Sequence, residues 1–436
     1  MKLPTLSKVV QDQIRTPSPI RQIMKMADRK NIEAMGLKPE DVISFGGGWV
    51  NHEAPPLLLE KYREICSDPR LFHESGGYSA TLGDMRFREA IAEFEQRIMG
   101  VKEIEKENII IGCGSTQLTH DAFLALVNPG EDVVLLDPTY ANYYGQMVFA
   151  LTDNRLEKQD GMKRVVTEAE VAYLPVLDTE EWRYMPDPED ALARLEQLCS
   201  LHSPKLILFP SPDNPTSQVL CDRFVDGALE LCEQRGMFLL IDMAYETQVF
   251  GERPAYFSYS PAEHPHLVTL HSNSKWGRGL GRRLGWVAAS KEVIDGMERV
   301  QQCTILCPDT LHQMAFAAYL AEAIPDGSLS AYLRDATRAY ERAARMTISA
   351  IDRELGMRRL VPQGGLYTVM DVGTDADELV LDVLRHTGVL MIPGRGFGRT
   401  LVNAVRLSYG PLVNDLGKIK EGIERIGAYL SGRDRA

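Results

Sequence analysis

The 436-residue sequence has no long apolar run and no excess of basic residues. Because no stretch of about 18 apolar residues is present, we expect no membrane-spanning helix. The net charge of −13 argues against general binding to nucleic acids or anionic membranes. The N-terminal segment MKLPTLSKVVQDQIRTPSP lacks the apolar centre of a secretory signal, so we expect a cytoplasmic protein.

The seven cysteines form no Cys-x-x-Cys pair and no cluster with histidine. This spacing indicates neither a disulfide framework nor a zinc site. We therefore interpret the cysteines as free or buried thiols in a reducing compartment, and we predict no metal site.

Short apolar segments alternate with amphipathic segments over the middle of the chain. The strand candidates are 109–111, 132–136, 206–209, 238–241, 267–271 and 286–289, and the helix candidates among them are 116–127, 187–198 and 222–233. This alternation predicts an α/β fold with a mostly parallel sheet that helices cover on both faces.

The two ends of the chain have a different pattern. Residues 1–19 are interpreted as a flexible arm, and the apolar spacing of residues 20–35 predicts a helix. Beyond residue 291 the pattern predicts long helices at about 292–325 and 328–354. Strands near 366–371 and 404–408 follow, which is typical of a second, smaller α+β domain.

The segment SNSKWGRGLGRRLGW places Lys275 directly after an apolar strand, among hydroxyl groups, glycines and arginines. Burial and neighbouring cations lower the pKa of a lysine, so that its neutral amine can attack a carbonyl. Hydroxyl groups and arginine are suited to a phosphate dianion. Together they predict a Schiff base with pyridoxal 5'-phosphate, and a surface loop with solvated charges is the alternative.

Further polar residues follow strand candidates. Asp242 ends the run FLLID, where a carboxylate points into the ligand crevice of a parallel sheet. Gly114, Ser115 and Thr116 begin a helix, whose N–H groups and dipole attract phosphate. The guanidinium of Arg406 can donate two parallel hydrogen bonds to a substrate carboxylate. Each of these has a purely structural alternative as a cap, a turn or a surface residue.

In order and local spacing, these motifs resemble the class I and II aminotransferases, which are pyridoxal-phosphate enzymes of fold type I. The resemblance extends from about residue 20 to the C-terminus and is nearest to the branch for aminoadipate, kynurenine and aromatic amino acids. It implies a large domain with a mostly parallel sheet of the seven-stranded type, a smaller α+β domain and a homodimer. The domains would be an arm and helix (1–35), the first part of the small domain (36–70), the large domain (71–300) and the rest of the small domain (301–436).

The resemblance implies catalytic roles for three residues. Lys275 would form the Schiff base and then act as the general base. Asp242 would pair with the protonated ring nitrogen, and Tyr245 would hydrogen-bond the phenolic oxygen. Asn214, in the turn PDNPTS, would donate to the same oxygen.

The resemblance also implies the remaining contacts to the cofactor. The phosphate ligands would be Gly114, Ser115, Thr116, Ser272, Ser274 and Arg283. Tyr140 would stack on the pyridine ring. Tyr78 would reach the phosphate in the neighbouring subunit, so that a homodimer shares its active sites.

For the substrate, the resemblance implies that Arg406 binds the α-carboxylate, together with Asn214. Gly47 and Gly48 would lie where the N-terminal segment turns over the substrate. Trp49 would help to shape specificity, although core packing is an equal alternative. The segments QGGLYTVMDV and GVLMIPGRGFG are interpreted as strand and turn without a chemical role.

Three features depart from the family pattern. Ser217 stands where glycine is usual. Arg278 and Arg282 add positive charge to the lysine loop, and they are either solvated or favour an anionic substrate group. The charged, irregular segment 152–172 resembles an insertion and is either a solvated loop or a lid that selects the substrate.

The predicted reaction is transamination between an L-amino acid and a 2-oxo acid. Another pyridoxal-phosphate reaction, such as β- or γ-elimination, replacement, cyclisation or oxidation, is the first alternative because the same residues serve it. A transcription regulator with this fold is the second. It is disfavoured because a fold that begins near residue 20 leaves no room for a DNA-binding domain and because the chain is acidic.

Overall fold

The computed structural model describes residues 4–15, 18–151, 156–159, 162–165 and 171–433. The helices described are α1 Lys8–Arg15, α2 Pro19–Met26, α3 Arg29–Ala34, α4 Pro56–Ser67, α5 Pro69–Ser75, α6 Met85–Phe94, α7 Ser115–Leu126, α8 Asn142–Leu151, α9 Pro188–His202, α10 Asp222–Arg235, α11 Lys291–Thr304, α12 Thr310–Ala323, α13 Ser328–Glu354, α14 Ala376–Thr387 and α15 Leu416–Arg433. The strands described are β1 Ile43–Ser44, β2 Ile109–Gly112, β3 Val133–Asp137, β4 Leu156–Gln159, β5 Met162–Val165, β6 Val171–Pro175, β7 Leu177–Asp178, β8 Arg183–Tyr184, β9 Leu206–Pro210, β10 Phe238–Asp242, β11 Leu267–Ser272, β12 Gly285–Ala288, β13 Tyr367–Asp371, β14 Val389–Leu390, β15 Ile392–Pro393 and β16 Ala404–Ser408.

Seven strands form the main sheet in the order β2-β12-β11-β10-β9-β3-β6. The pairs from β11 to β6 are parallel, and β12 runs antiparallel to both β11 and β2. The predicted α/β fold with a mostly parallel seven-stranded sheet is confirmed. Its inner strands are almost continuously apolar, as expected for a sheet that is buried on both faces.

Alternate residues of each strand pack in cores on opposite faces of the sheet. In β10, Leu239 and Ile241 belong to a core with residues of α6, α9, α10 and α12, which we call the first core. Leu240 belongs to a second core with residues of α7, α8 and α11. The helices therefore cover both faces, as the alternating pattern predicted.

A third core contains the smaller sheet, in the order β13-β16-β15, with α13, α14 and α15. Ile43 and Phe45 of the N-terminal segment pack in it, and β1 pairs in parallel with β14. Leu58 and Ile65 of α4 belong to the first core instead. The predicted domain boundaries stay a prediction. Among the residues described, no helix combines the length and apolar character needed to cross a membrane.

Several helix predictions differ from the structure. The supposedly flexible arm contains α1, and the single helix predicted for 20–35 is divided into α2 and α3. Asp28, whose backbone is extended, separates the two, and aspartate is a poor residue for a helix interior. The helix predicted for 292–325 is divided into α11 and α12 by a loop with Pro308, which cannot continue a helix.

The segment 152–172 is not wholly irregular. Its last two residues begin β6, which pairs with β3 at the edge of the sheet and alternates between buried and half-buried positions. The strands β4 and β5 form an antiparallel hairpin. Residues 152–155, 160–161 and 166–170 lie outside the described residues, so the choice between loop and lid stays open.

The pairing brings several strand ends to one edge of the sheet. Asp242, at the end of β10, lies opposite Pro210 in β9. Ser272, at the end of β11, lies opposite Gly285, which in turn lies opposite Gly112. Loops that follow these strands therefore converge, as they do in the ligand crevices of open α/β sheets.

Candidate active site

A cavity of about 430 Å³ lies at this edge of the sheet. The predicted site residues that line it are Gly47, Gly48, Trp49, Ser115, Thr116, Tyr140, Asn214, Asp242, Tyr245, Ser272, Ser274, Lys275, Arg283 and Arg406. Gly114 and Tyr78, both of which the structure describes, do not line it. The cavity therefore brings together residues from both ends and the middle of the chain.

Lys275 follows β11 and points its amine towards the N-terminal glycine segment. Its Nζ donates a hydrogen bond of 2.6 Å to the carbonyl oxygen of Gly48 and lies 5.2 Å from the centre of the Tyr245 ring. Burial lowers the pKa of Lys275 to about 8, helped by the positive charges of Arg406 and Arg283 and opposed by Asp242. An amine with this pKa is partly neutral near neutral pH and can act as a nucleophile or base.

Asp242 is 8% exposed at the end of β10. The Tyr143 hydroxyl donates to its Oδ2 at 2.6 Å, and the Ala244 N–H donates to its Oδ1 at 3.0 Å. Burial raises the pKa of Asp242, while these two hydrogen bonds and the charge of Lys275 oppose the rise. A buried carboxylate held in this way is suited to a cationic ring nitrogen.

Ser115, Thr116, Ser272, Ser274 and Arg283 all line the cavity, and Gly114 directly precedes Ser115; we call these six residues the anion cradle. Ser115 and Thr116 begin α7, so their N–H groups have no acceptor within the helix. A Cβ atom on Gly114 would lie 2.6 Å from Arg283 Nη2, so the guanidinium closes over the turn. Arg283 Nη1 also lies 3.5 Å from Ser274 Oγ. This set of donors matches what a phosphate dianion requires.

Arg406 is 4% exposed in β16. Its Nη1 donates to Asn214 Oδ1 at 3.0 Å, and its Nη2 donates to the Gly46 carbonyl oxygen at 2.8 Å. Its Nε is buried without a partner. Burial lowers the pKa of Arg406. A buried guanidinium at a cavity wall is suited to a carboxylate ligand.

The aromatic candidates occupy different positions. Tyr140 is half-buried, meets the Tyr143 ring edge to face at 5.2 Å, and accepts a hydrogen bond of 2.8 Å from Asn142 Nδ2. Trp49 is 41% exposed at the cavity mouth. Tyr78 is 86% exposed and does not line the cavity of its own chain. Its predicted role requires a second subunit and stays a prediction.

The two additional arginines of the lysine loop are held by other groups. Arg278 Nη1 donates to the Val50 carbonyl oxygen at 2.6 Å and to Asn51 Oδ1 at 2.9 Å. The Arg282 guanidinium lies 5.0 Å from the centre of the Tyr62 ring. Neither arginine lines the cavity. These contacts favour a structural role over both readings offered by the sequence, solvation and binding of an anionic substrate group.

Sequence reasoning missed several cavity residues, including Tyr143, Tyr367, Phe397 and Arg21. Tyr367 and Phe397 lie in the segments QGGLYTVMDV and GVLMIPGRGFG, which were interpreted as strand and turn without a chemical role, and both line the cavity. In the register that the structure shows, Tyr367 and Arg406 lie on the same face of the adjoining strands β13 and β16. Tyr367 therefore faces the same side as the predicted carboxylate-binding residue. Tyr143 lies three residues after Tyr140, in the first turn of α8.

A lysine of lowered pKa, a buried carboxylate and an anion cradle on a sheet of this topology define an enzyme of fold type I. Comparison with known proteins identifies the family. The model of the family described as aminotransferase class I and II matches residues 40–150 and 162–426. The chain belongs to this family of pyridoxal-phosphate-dependent aminotransferases and is an enzyme of the transferase class. This membership confirms the predicted amino-group transfer and does not favour the other reactions.

Individual relatives are similar over nearly their whole length. An aspartate aminotransferase of Pyrococcus horikoshii is 24% identical and is aligned over 94% of this chain and 96% of its own. An aspartate/prephenate aminotransferase of Thermus thermophilus is 27% identical, over 91% and 94%. The solved structure of the Thermus thermophilus aspartate aminotransferase with maleate has a TM-score of 0.79 at 25% identity, covering 97% of this chain and 100% of that one.

Proposed function

We propose that this aminotransferase holds pyridoxal 5'-phosphate in the cavity. The observation that carries the proposal is that a lysine with a pKa of about 8 lies at the same sheet edge as a buried carboxylate and the anion cradle. The cradle would hold the phosphate, Asp242 the ring nitrogen, and Asn214 and Tyr245 the phenolic oxygen. Tyr140 would pack against the ring, and Lys275 would supply the amine that condenses with the aldehyde.

When bound, pyridoxal phosphate supplies an electron sink for the bonds at the substrate α-carbon. The chain supplies the other groups. Arg406 orients the substrate carboxylate with its guanidinium, and Asn214, already bonded to Arg406, links that position to the ring pocket. Lys275, in its neutral form, takes the proton from the α-carbon of the amino donor in one half-reaction and delivers a proton to the α-carbon of the new amino acid in the other.

We propose a donor with a large side chain. The cavity wall also contains Ile20, Met24, Trp49 and Phe397, which offer apolar contact. Arg21, on α2, adds a cation to the same wall. Apolar side chains beside the cation of Arg21 are suited to an aromatic side chain or to a long one that ends in a carboxylate. This supports the aminoadipate, kynurenine and aromatic branch, and some relatives are named for aspartate, prephenate or aromatic substrates.

We further propose that the enzyme is a cytoplasmic homodimer. The exposure of Tyr78 and of Met85, seven residues further along the chain, 86% and 58%, supports contact with a second copy. The acidic charge and the free cysteines support a reducing compartment without a membrane or nucleic-acid partner.

An absorbance scan of purified, cofactor-loaded protein tests this function. Wild type should show the band of the lysine-bound cofactor, and Lys275→Ala should lack it. One amino acid of a panel should convert the band to that of the pyridoxamine form, and a 2-oxo acid should restore it. Product formation while the original band persists would favour elimination or replacement. Absence of the band in wild type would contradict the cofactor assignment.

A further inference from the structure

Beside Lys275 lies a pair of tyrosine hydroxyls, only one of which has an assigned role. The hydroxyls of Tyr245 and Tyr367 are 2.7 Å apart and share a hydrogen bond in which either can donate. The two residues are 7% and 1% exposed, and their rings meet edge to face at 5.9 Å. Both line the cavity. Tyr367 therefore adds a second hydroxyl directly behind the one expected to contact the phenolic oxygen.

Ser217, the residue that departs from the family pattern, fixes the backbone of Tyr367. Its hydroxyl accepts a hydrogen bond of 2.9 Å from the Tyr367 N–H. Its carbonyl oxygen accepts from the N–H groups of Gln363 and Gly364 at 2.9 and 3.2 Å. Ser217 is fully buried and has a φ of +55°, a conformation that costs free energy for a residue with a side chain. The turn that carries Asn214 is thereby tied to the start of β13.

Arg406 fixes the ring of Tyr367 from another side. The guanidinium carbon lies 4.5 Å from the ring centre, a favourable cation–π distance. Burial raises the pKa of both tyrosines, and it raises that of Tyr245 well above its ordinary value. For Tyr367 the charge of Arg406 is the main opposing effect. When Tyr245 donates its proton to another acceptor, Tyr367 can therefore donate the hydrogen bond between the two hydroxyls.

We propose that Tyr367 is a positioning residue that acts through Tyr245. Its hydroxyl donates to Tyr245 Oη, which leaves the Tyr245 proton free for the phenolic oxygen of the bound cofactor. Consecutive hydrogen bonds polarise one another, so the pair stabilises negative charge on that oxygen better than Tyr245 alone. The inference rests on the proposed function, because it requires the cofactor in this cavity.

The test is the pKa of the Lys275–cofactor linkage, measured from the absorbance of the loaded enzyme as a function of pH. Tyr367→Phe keeps the ring over Arg406 and removes only the hydroxyl. It should raise this pKa by about half a unit to one unit, the expected effect of losing one neutral hydrogen bond. Tyr245→Phe should raise the pKa further. The double variant should match Tyr245→Phe, because Tyr367 has no effect without its partner.

Two further variants separate this role from general packing. Tyr319→Phe removes the hydroxyl of another buried tyrosine, which packs in the first core and does not line the cavity, and it should leave the pKa unchanged. Ser217→Gly tolerates the positive φ but releases the Tyr367 N–H. It should shift the pKa in the same direction as Tyr367→Phe and by less.

The outcomes separate this inference from the proposed function. An unchanged pKa in Tyr367→Phe, an additive shift in the double variant, or an equal shift in Tyr319→Phe would overturn the role of Tyr367 while the cofactor assignment stands. If wild type shows no band of the lysine-bound cofactor, the proposed function fails instead. Thermal unfolding of each variant verifies that the fold is retained.

Discussion

At the scale of single residues, the ionisation of Asp242 depends on a tyrosine far away in the sequence. Burial raises the pKa of Asp242, and the hydrogen bond from Tyr143 is the largest effect that opposes the rise. Because only the ionised carboxylate pairs well with a protonated ring nitrogen, Tyr143 helps to hold Asp242 in the form that the reaction needs.

Replacing Tyr143 by phenylalanine should therefore lower kcat by roughly tenfold, the effect of losing one hydrogen bond to a charged group. Steady-state kinetics with the identified donor would measure it. Tyr144→Phe is the matched control, because Tyr144 is the next residue on α8 and is 51% exposed. Equal rates for the two variants would argue against a role for the Tyr143 hydroxyl.

At the scale of elements, the turn between β2 and α7 decides whether the anion cradle can form. Gly114 has a φ of +85°, which a residue with a side chain rarely adopts. The space that a side chain would need is occupied by the Arg283 guanidinium. Glycine at this position thus allows the backbone and the arginine to approach the same ligand.

Gly114→Ala should weaken pyridoxal phosphate binding by about tenfold or more and lower the Tm, since the alanine is strained and displaces Arg283. A titration of the apoprotein followed by absorbance, together with thermal unfolding, would measure both effects. Gly145→Ala is the control, because no atom lies within 4 Å of its added Cβ and alanine favours the helix. The assignment of the cradle would be wrong if both variants bound the cofactor like wild type.

The strands that were predicted correctly are those whose sequence pattern lies within a few adjacent residues. The six strand candidates of the main sheet were predicted to within one residue at either end, because each is a short continuous apolar run. The seventh strand, β6, was missed since its edge position leaves half of its residues less buried. The antiparallel direction of β12 was not predicted, because direction depends on the course of the connecting loop.

At the scale of the whole molecule, stability depends on a charged cluster in the first core. His271 Nδ1 lies 2.9 Å from Glu246 Oε2 and 3.6 Å from Glu95 Oε1, and its Nε2 lies 2.8 Å from Thr269 Oγ1. Burial alone would lower the pKa of His271, but the two carboxylates outweigh it and raise the pKa to about 9. A protonated His271 therefore contributes to the stability of the fold.

The stability should fall as the pH rises. The folded-state pKa of about 9 exceeds the ordinary value of 6.5. The contribution is therefore complete below about pH 6.5 and is lost as the pH rises through about 9. Between about pH 7 and pH 10, the Tm of wild type should fall more steeply than that of His271→Gln. The curve of His386→Gln, which replaces an exposed histidine, should parallel wild type. Parallel curves for wild type and His271→Gln would refute the prediction.

The proposed shared sites predict complementation between inactive variants. Lys275→Ala and Tyr78→Ala should each be nearly inactive alone. After refolding as an equal mixture, about a quarter of the sites should be free of both changes, because a mixed dimer places both changes in one site. Activity assays before and after mixing would detect the regain. If activity did not return although mixed dimers had formed, each chain would build its own complete site.

Local sequence alone determined six of the seven strands of the main sheet and the polar residues that end them. Lys275, Asp242 and the turn that begins at Gly114 could be predicted because their surroundings are set by adjacent residues and because the ends of parallel strands meet at one edge. The order of these motifs along the chain then indicated the family.

Only the tertiary structure decided which side chains support these groups. Tyr143 lies 99 residues from Asp242 in sequence, and Tyr245 lies 122 residues from Tyr367, yet both pairs are hydrogen-bonded. Likewise, Arg278 contacts residues more than 200 positions away, at Val50 and Asn51. Burial, pKa and hydrogen-bond partners depend on neighbours in space, and the packing of the chain is what brings those neighbours together.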